Sequence, residues 1–428
     1  MNESEHEARP RNPPTKRWEF VRFMGIGAGV LFLAPAIAVA EVALETSAYA
    51  QYEYDSNVFY LAPGVTFPGD SHSDPSDTVL TAGGKFVVAD LWQQQKVYLS
   101  LQGSDVRYNR FTQLDHSDYN VDGGWIWALG GNWDGQLQVT RLRSQVPFTY
   151  LVSTQLFLQT EQRETASANF RFNSDWRIEG IGYTRQLDLP QLQAPNLRLT
   201  ESSGQVALKY TGISRTTAGV LVAYVTGNYD NTGLLSSVAG FAPTYHQTTF
   251  GLTSTYSVSG LTSLQGQLGY TRRVTPNPAA DQSGVTGDLH YRRALTAKTS
   301  IDLEFSRQLQ SYLTGVGSEL DSKANLQARW EATYKIAVLA GYAYIYRQLP
   351  NQGFVAGTNR LDHLQSTTLQ VDYTVRPWLS LKPYVRYETR SSNYPDGDFT
   401  GAAIGLNFTV QWWKGRRPSE FIAPVRVL

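Results

Sequence analysis

Cysteine is missing from this chain of 428 residues, and charged residues are sparse. Without cysteine, no disulfide framework can hold the fold, even in an oxidising compartment. Charged residues make up 17% of the chain and the formal net charge is zero, so the composition gives no sign of a nucleic-acid partner.

Long apolar runs are scarce as well. After the first forty residues, no stretch approaches the roughly 18 consecutive apolar residues that mark a transmembrane helix. The mean hydropathy of −0.32 does not argue against a membrane protein, because only every second residue of a barrel strand must face lipid.

The first forty residues are the exception. Lys16, Arg17 and Arg22 precede an apolar core over 24–37, and Ala38-Val39-Ala40 follows it. A basic region, a short apolar core and a small-x-small site predict a signal peptide, 1–40, that is cleaved after Ala40. The apolar core is short for a retained membrane anchor, which needs about 20 residues. A start at Met24 would remove the basic residues, and we favour it less.

From residue 41 to residue 412, apolar and polar side chains alternate in about eighteen units, with 16–18 as the range. This period of two is typical of strands with one apolar and one polar face. Long and short connections follow each other in strict alternation. The pattern therefore predicts an all-β fold, a transmembrane antiparallel up-and-down β-barrel with long extracellular loops and short periplasmic turns. Both termini are then periplasmic, and residues 413–428 form a periplasmic C-terminal tail.

Aromatic residues sort by strand end. The tryptophans cluster near the short connections and predict an interfacial girdle: Trp92, Trp125, Trp127, Trp133, Trp176, Trp330, Trp378 and Trp412. Tyrosines dominate the opposite ends and predict a second row: Tyr54, Tyr108, Tyr119, Tyr229, Tyr245, Tyr270, Tyr346 and Tyr387. Such rings settle at the headgroup level of a membrane.

The charged residues lie at the alternate positions of each strand, on the polar face. A barrel of eighteen strands is too wide for side chains to fill, so its inner face is expected to line a watery channel. The candidate pore-lining residues are Lys85, Lys96, Arg171, Arg177, Glu179, Arg185, Lys209, Asp302, Glu304, Arg329, Glu331, Asp372, Lys382 and Arg386. Two interpretations stay open: cross-strand ion pairs on a solvated wall, or a constriction that selects a charged or sugar-like solute.

Catalysis and metal binding are not expected. The carboxylates in the longest loop, 56–77, match no calcium-loop spacing, and we predict neither a metal site nor a cofactor. The histidines lack a partner spacing that would place a base beside a nucleophile. An inward carboxylate pair such as Asp302 and Glu304 leaves an outer-membrane hydrolase as a lesser alternative, but the prediction is that the protein is not an enzyme.

Four segments carry a family likeness: Tyr52-Glu-Tyr-Asp-Ser-Asn-Val-Phe59, Ser76-Asp-Thr78, Asp105-Val-Arg-Tyr-Asn-Arg-Phe111 and Trp125-Ile-Trp-Ala-Leu-Gly130. They resemble the EpsL-like outer-membrane proteins of exopolysaccharide-biosynthesis operons, which are grouped with β-barrel porins. The resemblance is sharpest over residues 49–150. It implies a channel in the outer membrane of a Gram-negative bacterium that takes part in exopolysaccharide export.

The expected partners are outer-membrane lipid, the barrel-assembly machinery, exopolysaccharide and periplasmic export components. The alternative function is a non-conducting structural barrel that binds glycan or partner proteins. The last strand ends Phe408-Thr-Val-Gln-Trp412, which is typical of the signal that insertion machinery reads, yet sixteen residues follow it.

Overall fold

The computed structural model describes residues 41–65, 74–149, 154–189, 197–230, 242–311, 318–349, 358–415 and 417–418. The predicted signal peptide and all of the predicted tail after residue 418 lie outside these ranges. Among the described residues, no helix is both long enough and apolar enough to cross a membrane.

Each alternating unit of the sequence forms a strand. The strands are β1 Glu41–Asp55, β2 Asp77–Trp92, β3 Gln95–Tyr108, β4 His116–Leu129, β5 Trp133–Gln145, β6 Leu158–Arg171, β7 Trp176–Leu189, β8 Leu197–Ile213, β9 Thr216–Asp230, β10 Thr244–Ser259, β11 Thr262–Val274, β12 Gln282–Ala294, β13 Thr299–Ser311, β14 Ser318–Glu331, β15 Ile336–Leu349, β16 Arg360–Arg376, β17 Leu379–Ser392 and β18 Phe399–Lys414. The described residues otherwise hold only two single-turn 3₁₀ segments, Thr112–Leu114 and Pro278–Ala280.

The sheet closes into a barrel. Every strand pairs antiparallel with its neighbours in the chain, and β1 pairs with β18 from Leu44↔Lys414 to Asp55↔Ala403. Closure pairs the first strand with the last, so the backbone groups of these two strands are satisfied by each other. The prediction of a closed antiparallel up-and-down barrel of eighteen strands is confirmed.

The connections alternate in length, as the sequence predicts. Eight connections have two to four residues and nine have six to twenty-one, so all the long ones lie at one end of the barrel. We call these the short-turn end and the long-loop end. The last strand continues two residues beyond the predicted boundary at 412, to Lys414.

The register separates an apolar outer face from a polar inner face. Tyr52 lies opposite Leu80 on one side and Leu406 on the other, and all three side chains are exposed. Inner-face tyrosines lie against glycines across the ladder: the ring of Tyr98 covers Gly124, where a Cβ would meet ring atoms at 2.6 Å. Glycine is required there because any other side chain would displace the ring.

The tryptophans collect at the short-turn end. Seven of the eight predicted girdle residues are exposed, and Trp127 is half-buried because its ring lies over Gly135 of β5. The tyrosine row is partly wrong: Tyr108, Tyr229 and Tyr245 lie on the inner face, because each has the opposite parity to the exposed apolar residues of its own strand. Tyr54, Tyr270 and Tyr387 are exposed on the outer face.

Candidate functional site: the barrel lumen and its long-loop mouth

All fourteen candidate pore-lining residues lie on the face opposite the exposed apolar side chains. Ten of them take part in ion pairs with groups on the same strand or on a strand one or two positions away around the barrel. Arg171 reaches Asp134 at 2.9 Å, and Glu179 holds both Arg177 at 2.7 Å and Lys209 at 2.5 Å. The inner wall is therefore rich in paired charge of both signs.

Three candidates stand apart from these pairs. Among the described residues, no group of opposite charge lies within salt-bridge distance of Lys85, Glu304 or Lys382. All three keep the inward parity of their strands. A charge without a protein partner acts on whatever occupies the lumen. That these residues line a conducting pore stays a prediction.

A charged cluster joins β1 to β17 near the long-loop end. Arg386 pairs with Glu388 at 3.0 Å, Glu53 at 3.4 Å and Asp55 at 3.5 Å. The hydroxyl of Tyr60, in the β1–β2 connection, donates to Glu388 at 3.0 Å. Burial and the neighbouring Glu388 carboxylate raise the pKa of Tyr60, so its hydroxyl remains a donor. The β1–β2 connection is thereby tied to the inner wall of β17.

Apolar side chains from three long connections pack together at this end, in a group that we call the mouth cluster. The ring of Phe59 meets Phe111 edge-on at 4.6 Å and Phe148 at 5.3 Å, and Phe59 is only 1% exposed. Such ring pairs add about 0.5–1.5 kcal/mol each beyond the area that they bury. The mouth cluster consists of Val58, Phe59, Leu61, Phe111, Leu114 and Phe148.

Asn57 organises the start of the β1–β2 connection. Its amide nitrogen donates to the carbonyl oxygens of Leu61 at 2.9 Å and Thr400 at 3.1 Å, and its amide oxygen accepts from the Leu61 backbone at 3.0 Å. Between them, Tyr60 has a φ of 55°, a left-handed conformation that costs a non-glycine residue about 1 kcal/mol or more. The Asn57 bonds and the Tyr60–Glu388 bond hold this turn.

Asp77 joins the β1–β2 and β3–β4 connections. Its carboxylate accepts from the backbone amides of Arg110 at 3.0 Å and Phe111 at 2.9 Å. The Arg110 guanidinium donates back to the Ser76 carbonyl at 2.9 Å and to Asp74 at 3.0 Å. Three of the segments that carry the family likeness thus meet in one loop assembly.

The β5–β6 connection reaches a part of the wall six strands away. Arg390, on the inner face of β17, donates to the Thr149 carbonyl at 2.8 Å, and its guanidinium lies 4.9 Å from the Phe399 ring. Strands β5 and β6 stand well away from β17 around the ring, so this contact crosses the mouth. The long-loop end of the lumen is therefore narrowed by two connections that pack against the inner wall.

Sequence reasoning missed Asn57, Tyr60, Asp77 and Arg390 as site residues. The first three lie in or beside the segments that carry the resemblance, which was a usable signal. Arg390 had none, because its partner lies 241 positions away in the chain.

The carboxylate pair named for the hydrolase alternative, Asp302 and Glu304, lies beside His290 and Arg292. His290 lies 2.7 Å from Asp302 through Nε2, and Arg292 lies 3.1 Å from the second Asp302 oxygen. No serine hydroxyl in the described part of the chain lies within hydrogen-bond distance of His290. Glu304 is exposed and lies directly opposite His290 in the β12–β13 ladder, and Asp302 is held in the ion-paired wall by Arg292.

A closed barrel with an apolar outer face and a charged, polar lumen defines a porin-like β-barrel. The model of a family described as "Putative beta-barrel porin 2" matches residues 246–412, from β10 into β18. The segments that carry the EpsL-like resemblance lie outside this match. No curated protein matches the chain.

Among solved structures, the chain is similar to OpdK of Pseudomonas aeruginosa with vanillate, at 11% identity and a TM-score of 0.47, covering 86% of this chain and 99% of OpdK. It is also similar to a mutant of the ferric enterobactin receptor PfeA of Pseudomonas aeruginosa, at 8% identity and a TM-score of 0.45, covering 87% and 81%. A third similar structure is the siderophore receptor PirA of Pseudomonas aeruginosa, at 10% identity and a TM-score of 0.46, covering 86% and 80%.

Proposed function

We propose that the protein is an outer-membrane channel of a Gram-negative bacterium, without catalytic activity, and that it serves exopolysaccharide export. The observation that supports a channel is the charged inner wall of an eighteen-strand barrel. A barrel of this width has an interior that side chains alone cannot fill. Ionised side chains on that wall need water, since burying them without solvent or a partner is costly. The exposed apolar face and the tryptophans at one end support a membrane location.

The proposal that exopolysaccharide is the transported solute rests on two features. Three of the four segments that carry the EpsL-like resemblance build the mouth, and strands β8 to β13 present amide side chains to the lumen: Gln205, Gln247, Gln267 and Gln308. Amides both donate and accept hydrogen bonds, as a hydroxyl-rich chain requires.

Ion selectivity tests the channel. Lys382 faces the lumen without a carboxylate partner, so Lys382→Glu changes the charge of the wall without breaking an ion pair. In planar bilayers we expect the reversal potential under a salt gradient to shift toward cation selectivity. Lys335→Glu, in the turn between β14 and β15, is the matched control and should leave the reversal potential unchanged. A bilayer that carries no current with folded protein would refute the channel.

The solute is tested separately in the producing cell. Deleting the gene should lower the polysaccharide recovered from the medium, and restoring the unaltered gene should return it. An unchanged yield alongside normal conductance would refute the export role and leave the channel intact.

The second candidate is a non-conducting barrel that binds glycan at its mouth. The packing of two long connections against the inner wall favours it, through the Arg390–Thr149 and Tyr60–Glu388 bonds. It predicts glycan retention on immobilised protein together with silent bilayers.

A further inference from the structure

The barrel wall is split between β12 and β13. Their ladder runs from Ala294↔Ser300 to Gly287↔Arg307 and then stops, although both strands continue toward the long-loop end. Beyond that point, residues 282–286 of β12 stay paired with β11, and residues 308–311 of β13 stay paired with β14. We call this opening the split seam. At about 3.4 Å per residue it is on the order of 14 Å long.

An arginine takes over part of the missing ladder. Arg273 of β11 is buried on the inner face and donates to the carbonyls of Leu309 and Gln310 and to the Ser311 hydroxyl, at 3.4, 3.4 and 3.1 Å. Gln247 holds the guanidinium through two bonds, at 2.8 and 3.1 Å. A backbone carbonyl without a ladder partner is costly at membrane depth, and the Arg273 guanidinium supplies a fixed donor on the luminal side of the open edge of β13.

Cavities on the two sides of the wall meet at the split seam. The outer cavity, about 720 Å³, is lined by exposed apolar side chains that include Leu252, Leu268, Val285 and Phe305. The inner cavity, about 290 Å³, is polar. Both are bounded by the same four residues at the end of the paired ladder: Gln267, Thr286, Gly287 and Asp288. The two cavities therefore lie against the same residues on the two sides of the wall.

The inner cavity has an excess of cationic groups. Three arginines line it, Arg163, Arg185 and Arg273, against two carboxylates, Glu201 and Asp288. Glu201 accepts hydrogen bonds from the hydroxyls of Tyr183 and Tyr245, and in the described part of the chain no carboxylate lies within salt-bridge distance of Arg163 or Arg273. Their guanidinium groups lie 4.1 Å from the Tyr183 ring and 4.2 Å from the Tyr245 ring. The Nε of Arg163 is buried without a hydrogen-bond acceptor. Two cations of this kind beside an apolar cavity fit a ligand with an acidic head and a hydrocarbon tail.

We propose that the split seam is a lateral portal that binds a single-chain anionic amphiphile, with its acyl chain in the outer cavity and its head at the Arg163–Arg273 side of the lumen. The portal depends on the membrane location proposed above, but it does not depend on a conducting lumen.

Photolabelling in vesicles tests the portal. The protein is reconstituted in phosphatidylcholine vesicles with palmitate that carries a diazirine on its chain. The expected label falls on the peptides that contain 285–289 and 305–309. Phosphatidylcholine with the same diazirine chain is the control probe and should label the outer face broadly, without this preference. Equal preference for the two probes, or no palmitate label at these peptides, would overturn the proposal.

Pairs of cysteine substitutions that close the split seam provide matched variants for the photolabelling experiment. The chain has no cysteine, so Thr286→Cys with Gln308→Cys can be bridged by a short thiol crosslinker. Bridging should abolish the palmitate label. The pair Ala294→Cys with Ser300→Cys, at the short-turn end of the same ladder and outside both cavities, should leave it unchanged when bridged. Arg163→Gln should also lower the palmitate label while the phospholipid label stays constant.

Persistence of the palmitate label after the seam is bridged would contradict the portal. Ion conductance measured on the same bridged protein separates the two proposals: loss of label with conductance intact supports the portal alone, and silent bilayers with normal label would refute only the channel.

Discussion

The mouth cluster makes a quantitative prediction for Phe59→Ala. Phe59 is almost fully buried between the rings of Phe111 and Phe148. Truncating such a phenylalanine costs about 3–5 kcal/mol. The residues of the mouth cluster all lie in the connections, and Tyr108, which packs against them, is the last residue of β3, so this cost falls mainly on loop docking and not on the barrel ladder. At about 1.4 kcal/mol per factor of ten, the undocked population should rise at least roughly a hundredfold.

Single-channel recording in planar bilayers measures this change. We expect a larger mean conductance and more frequent fluctuations for Phe59→Ala than for the unaltered protein. Phe250→Ala is the matched control, because Phe250 is exposed on the outer face and touches no connection at the mouth. Unchanged conductance for Phe59→Ala, with limited proteolysis of the β1–β2 connection also unchanged, would refute the view that these loops narrow the lumen.

Three further predictions concern the mouth and the wall. Asn57→Ala removes three hydrogen bonds and leaves buried backbone groups unsatisfied, so proteolysis of the β1–β2 connection should accelerate, consistent with a loss of about 1–3 kcal/mol. The Ser76 backbone amide and hydroxyl hold the pKa of Asp74 below its ordinary value of 3.8. The contribution of Asp74 to loop docking is therefore present above pH 3.8 and is lost as the pH falls below it. Conductance should then rise under acid. Gly135→Val displaces the Trp127 ring and should cost about 1–3 kcal/mol, read as a lower midpoint in urea unfolding from vesicles.

Each of these has its own control. Asn132→Ala, in the short turn between β4 and β5, should not alter proteolysis. Asp74→Asn should remove the part of the acid-induced rise in conductance that depends on Asp74. Gly131→Val sits where nothing lies within 4 Å of an added Cβ, so its urea midpoint should match that of the unaltered protein.

The strands were predictable because the signal is local. The alternation of apolar and polar residues along one strand shows which side chains share a face. The inward position of Lys85 or Arg329 can therefore be predicted without knowing which strands lie beside it. The partners of those charges were not predictable, because they depend on register. Arg329 reaches Asp372 only because β14, β15 and β16 align as they do.

The mouth and the split seam lay beyond sequence reasoning for a related reason. Phe59, Phe111 and Phe148 come from three different connections, and no spacing in the chain shows that these connections converge. At the seam, alternation continues through Val285 and Leu309 as if the ladder were complete. The split seam is recognised only when the register of β12 with β13 is compared with the registers of β12 with β11 and of β13 with β14.

The central claim is that an eighteen-strand barrel with a charged lumen conducts. Its most direct test is the current through planar bilayers that contain the unaltered, refolded protein, with folding checked independently by heat-modifiable migration on gels. The account predicts discrete, ohmic conductance steps whose ion selectivity changes with Lys382→Glu. Bilayers that stay silent with verified folded barrels, and stay silent with Phe59→Ala as well, would contradict it.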